Sequence, residues 1–97
     1  MALIRVNGGS SSAAGKVLET KSFSVSVGDQ GNQNATVTLD ETYANGRYGI
    51  ELTSNYSDAI VVGISNISGN TVTVNVRSYY SGTGQTFTVT GNVIVFE

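Results

Sequence analysis

From Lys21 onward, apolar and polar residues alternate in short runs separated by turn residues. "SFSVSV" (22–27) sets Phe23, Val25 and Val27 on one face, and "ATVTL" (35–39) does the same with Ala35, Val37 and Leu39. "YGIELT" (48–53) aligns Tyr48, Ile50 and Leu52, and "AIVVGIS" (59–65) aligns Ile60, Val62 and Ile64. "TVTVNVRSYY" (71–80) aligns Val72, Val74 and Val76, and the chain closes on "QTFTVTGNVIVFE" (85–97). A two-residue period puts alternate side chains on opposite faces of a strand, so each run predicts a strand with one face in a core. Loops are predicted at "DQGNQN" (29–34), at 40–47 with its Asn45-Gly46 turn, at "SNYSD" (54–58), around Gly69 and at "SGTG" (81–84). No window carries the 3.6-residue period of a core helix.

These connections are too short for parallel crossovers, so the strands are predicted antiparallel. The expected fold is an all-β, six-stranded antiparallel β-sandwich over residues 21–97.

Residues 1–20 are expected to form an N-terminal arm and linker. "MALIRV" has the pattern of a short strand, and "NGGSSSAAG" (7–15) has linker composition. Such a linker argues against that strand sharing a sheet with its neighbours in sequence. Two readings stay open: a tail folded back on its own domain, or an arm that pairs with another subunit or docks on a larger assembly.

The last strand breaks the alternation. "NVIVFE" puts Val93 and Val95 on one face, with Ile94 and Phe96 on the other. Val61 is likewise an apolar residue on the outer face of its strand. A half-exposed strand should be polar outside. Either the N-terminal segment covers the second face, or Val61, Ile94 and Phe96 form a subunit interface. The second reading is preferred, with a homotrimer as the expected assembly.

Composition narrows the function classes. The 97 residues fit one domain, with no Cys, His, Pro or Trp. Disulfides, thiolate and imidazole metal sites and the His-dependent nucleophile systems are therefore excluded. Charged residues make up 12%, with a net charge of -2, and the five basic residues are scattered singly. Nucleic-acid binding needs a basic face, and none is visible. The acids Asp29, Asp40, Glu41, Glu51 and Asp58 read as solvated surface groups, so neither a catalytic site nor a metal site is expected. No cofactor is expected either. There is no signal-peptide pattern and no apolar run long enough for a membrane span. The N-x-S/T sequons at Asn34, Asn55 and Asn66 are read as idle in a chain so rich in Asn, Ser and Thr.

The tyrosines carry more information. Tyr48 reads as core, and Tyr43 as packed under its loop. Tyr79 and Tyr80 close a strand beside Arg77, and Tyr56 lies in the loop with Asn55 and Asp58. Ring faces beside amides and a guanidinium suit saccharides or a protein partner. Arg77, Tyr79, Tyr80, Asn55, Tyr56 and Asp58 are therefore the candidate ligand-binding residues.

The stretch "VTLDETYANGRYGIELT", followed by "AIVVGISNISGNTVTVNV" and a terminal apolar strand, resembles the H-type lectin fold. It is similar to the small β-sandwich domains of bacteriophage tail fibres and baseplates. The resemblance covers about residues 35–97. It implies a trimeric sandwich in a phage virion, made in the host cytoplasm and binding a cell-surface glycan or another virion protein. Residues 1–20 would dock it on the particle. A capsid decoration protein with a purely structural role is the alternative. The His and Trp of the lectin sugar site have no counterpart here, and Arg77 is the nearest candidate.

Overall fold

The computed structural model describes residues 2–5, 16–54, 59–82 and 84–97. Among these residues seven strands run in the order β1 (Ala2–Arg5), β2 (Val17–Gly28), β3 (Asn32–Thr38), β4 (Arg47–Leu52), β5 (Ile60–Ser68), β6 (Thr71–Ser78) and β7 (Thr86–Phe96). All the pairings are antiparallel. The six strands from Val17 onward make two three-stranded layers, β4-β7-β2 and β3-β6-β5, and β1 adds a fourth strand at the free edge of β4. The all-β antiparallel sandwich that the alternation predicts is the fold of the chain.

The core is the set of inward positions predicted from the period. Phe23, Val25, Val27, Val37, Leu39, Tyr48, Ile50, Leu52, Ile60, Val62 and the three valines of β6 are buried, joined by Val89, Val93 and Val95. Ala35 and Ile64 are partly buried against the same cluster. Most of these residues are β-branched, which suits a pleated surface because their side chains lose little rotamer freedom there. Gly91 lets β4 and β2 close on β7. A Cβ at this position would lie 2.4 Å from the Glu51 carbonyl oxygen and 3.0 Å from the Phe23 ring.

Three boundaries differ from the sequence expectation. The sandwich does not begin at Lys21: Val17–Thr20 belong to β2 and pair with the end of β7, with an irregularity between Val17 and Glu19. "DQGNQN" is only half loop, because Asn32, Gln33 and Asn34 already pair with β6. The turn between β5 and β6 narrows to Gly69 and Asn70, with Gly69 at φ 58°, a left-handed value that favours glycine. The N-terminal strand, expected outside its neighbours' sheet, shares one with β2, at the opposite edge.

The Asn45-Gly46 signal is a turn closed by Gly46 N–H donating to the Tyr43 carbonyl at 3.2 Å. It does not make a hairpin. The connection from β3 to β4 carries the chain from one sheet to the other. No helix among the described residues is long and apolar enough to cross a membrane.

Candidate functional site

β6 is the middle strand of its sheet, so its outward residues have neighbours on both sides. The register sets Arg77 between Asn32 of β3 and Val61 of β5, and Asn75 between Asn34 and Gly63. The Asn75 side-chain amide donates to Oδ1 of Asn32 at 2.5 Å and to Oδ1 of Asn34 at 2.9 Å. These bonds align three amides in one row and leave the carbonyl oxygen of Asn75 pointing away from both donations. On the other side, Gly63 has no side chain, and a Cβ there would meet nothing within 4 Å. The row therefore borders a shallow opening.

Arg77 closes the row. Its guanidinium carbon lies 5.1 Å from the centre of the Tyr79 ring, a cation–π distance. Tyr79 is 59% exposed, so one aromatic face and the planar cation are presented together to solvent. Tyr79 N–H donates to the Ala59 carbonyl at 2.8 Å, which ties this corner to the end of the preceding loop.

The sequence-predicted site residues separate. Arg77 and Tyr79 share the outward surface. Tyr80 does not: it is half-buried, its ring edge-to-face with Phe87 at 5.4 Å, and its N–H donates to Ser78 Oγ at 3.2 Å. Tyr80 is thus a packing residue, its ring lying so close to Gly82 that a Cβ there would collide with it. Asn55, Tyr56 and Asp58 lie outside the described residues; the flanking Ala59 is next to the Tyr79 backbone. Asn32 and Asn34 belong to "DQGNQN", whose Gly, Asn and Asp content predicts a loop and hides their place on β3. Extending the period of β3 back two steps from Thr36 would have found both on the outward face.

The proposed interface also separates. Ile94 and Phe96 are half-buried on the outward face of the four-stranded sheet, flanked by Thr20 and Val17 of β2 and by Gly49 and Arg47 of β4. Val61 is 55% exposed and stands beside Arg77 on the outward face of the other sheet. These residues sit on opposite sides of the sandwich, so a single flat contact cannot use all three.

A second polar cluster joins the layers. Glu19 is buried, facing inward two positions beyond Lys21 and four beyond Phe23. Its Oε2 accepts the Asp40 N–H at 2.7 Å, and its Oε1 accepts the Tyr43 hydroxyl at 2.6 Å. Lys21 pairs with Asp40 at 2.9 Å. The bond to Glu19, with burial and the nearby carboxylates, pushes the Tyr43 hydroxyl up to about 12. The bond and charge of Asp40 likewise raise the Lys21 ammonium above its usual value. A carboxylate with both oxygens occupied and a phenol so hard to ionise are poorly suited to moving protons near neutrality. The cluster fastens the crossing between sheets. Its signal lay in the alternation: reading back from Phe23 puts Lys21 and Glu19 on the core side.

No family model, curated protein or solved structure matches this chain.

Proposed function

We propose that this chain is a non-enzymatic structural protein of a bacteriophage virion, associated with the tail fibre or baseplate. It self-associates, with a trimer as the preferred assembly, and binds a host cell-surface saccharide or another virion protein. The resemblance to H-type lectin-like sandwiches supplies the setting. The observation that carries the binding reading is the Asn32–Asn75–Asn34 amide row running into Arg77 stacked on Tyr79.

Saccharide hydroxyls are recognised by groups that donate and accept in one plane, and sugar rings stack on exposed aromatic faces. The strand residues aligned outward on this sheet include no acid, so a neutral or mildly acidic glycan meets no like charge there. Each site is shallow and binds weakly, and several copies on one particle raise avidity.

The test is adsorption of the wild-type chain to host cells against Arg77→Ala, Tyr79→Ala and Asn75→Ala, with folding checked by melting. Loss of adsorption in the folded variants is expected. Folded variants that adsorb normally would overturn the assignment. The exposed Val17 and Leu18, beside Ile94 and Phe96, favour a second reading, a capsid decoration protein docked through this apolar end. A chain that stays bound to purified heads and ignores cells would support it.

A further inference from the structure

β1 and β2 follow one another in sequence and stand at opposite edges of one four-stranded sheet. We infer that β1 is exchanged between copies: Ala2–Arg5 of one chain pairs with the β4 edge of another. This rests on the self-association proposed above and deepens it, naming the segment that is exchanged and the edge that receives it.

The first ground is what holds β1. It is laddered to β4 through four residue pairs, from Ala2–Leu52 to Arg5–Gly49. Among the described residues, the backbone of no other strand runs closely along it. Every backbone bond that seats it on β4 is therefore available from a second copy in the same register. Exchanging an identical element between protomers changes few contacts, which is why it is a low-cost route to assembly.

The second ground is reach. The row Arg5–Gly49–Ile94–Thr20 crosses the whole sheet, so the chain leaves β1 three strand spacings from β2. That is about 14 Å at a spacing of about 4.8 Å. Eleven residues, 6–16, join the two strands. Extended, they span up to about 40 Å. The connection is far longer than a return across one's own sheet requires, and it has the Gly/Ser composition of a linker.

The third ground is where the connection ends. It enters β2 at Val17, 50% exposed, and Leu18, 39% exposed. Val17 is in register with Phe96, one step from Ile94. Of this apolar end, Ile94 lies in the same row of the sheet as Arg5, the last residue of β1, and Val17 and Phe96 lie two residues further along their strands or more. The joining segment is mostly Gly, Ser, Ala and Asn and has little apolar surface to lay over it. A copy whose β1 arrives at β4 brings its own sandwich to this end, where the two apolar patches can cover each other.

The absence of native Cys makes the test clean. Leu3 and Glu51 are directly opposed across the β1–β4 pair. Opposed strand positions are within the Cα range that a disulfide bridges. Leu3→Cys and Glu51→Cys are prepared as separate chains, mixed, unfolded, refolded together and oxidised with diamide. The double variant is oxidised in parallel, and melting confirms that each single variant folds. Exchange predicts covalent Leu3→Cys/Glu51→Cys dimers in the mixture and a ladder of covalent oligomers from the double variant on non-reducing gels. A double variant that cross-links only within single chains would overturn the inference, and so would the failure of any disulfide to form. Sedimentation of the wild type separates the two failures. An oligomer without intermolecular β1 cross-links removes the exchange and keeps the self-association, while a monomer removes both.

Discussion

The Tyr43 hydroxyl donates a 2.6 Å hydrogen bond to Oε1 of Glu19, joining the crossing between the two sheets to the inward face of β2. Glu19 is otherwise a carboxylate at the edge of an apolar core, and its other oxygen is held by the Asp40 N–H. The carboxylate therefore tolerates burial only while both donors are in place.

Tyr43→Phe keeps the ring and deletes one donor. Leaving the Glu19 carboxylate short of a partner is unfavourable, so a lower melting temperature is expected. Glu19→Gln, which retains an acceptor of similar shape without the charge, is expected to cost less. Equal losses in both variants would show that the charge–phenol bond contributes nothing special.

The same bond gives a signed alkaline dependence. The folded-state value of Tyr43, about 12, lies above its ordinary value of 10.0. The stability it adds is fully present below pH 10 and is lost as pH rises through the folded value. Lys21 is raised as well, and its contribution fades in the same direction. Melting from pH 8 to pH 12 should decline more steeply for the wild type than for Tyr43→Phe. Parallel declines would exclude Tyr43 as the titrating group.

Deletion of the N-terminus should divide sharply at the start of β2. A chain lacking residues 1–15 keeps the six strands of the two layers and should melt cooperatively, with its β circular-dichroism signal retained. Removing residues 1–20 also takes away Glu19 and the first turnings of β2 against β7. That longer truncation should lose stability clearly, and equal melting of the two truncations would count against the Glu19 fastening.

Gly91→Ala tests the closeness of the central strands. The added methyl meets the Glu51 carbonyl and the Phe23 ring, and neither can retreat without moving a core strand. Overpacking of this kind costs about 1–3 kcal/mol. An unchanged denaturation midpoint would show that the strands can part at no cost.

Charge placed on the two outward faces should have different effects. Ile94→Asp puts an unpaired carboxylate into the apolar end proposed to meet another copy, and it should shift sedimentation toward the monomer. Val61→Asp is on the other sheet beside Arg77, and it should leave the mass unchanged while altering ligand binding. Dissociation by Val61→Asp would move the interface to the face of β6.

The alternation of "TVTVNVRSYY" by itself determined a great deal. It specified a strand, a valine face in the core, and an outward row ending in Arg77 and Tyr79, because side chains on a pleated strand can only alternate. The same rule identified Phe23, Val25, Ile50 and Leu52 as core and set Ile94 and Phe96 outside. Partners across strands were decided by tertiary structure. That Asn75 stands opposite Asn34 and within reach of Asn32 beside it on β3, that Val61 adjoins Arg77 and not Ile94, and that β1 stands across the sheet from β2 depend on register and strand order. Those are set by contacts between residues far apart in the chain, which a local period does not encode. Tyr80 and Glu19 show the same division: the period puts Glu19 on the core side, but only the folded chain brings the Tyr43 hydroxyl to it and Phe87 to the Tyr80 ring.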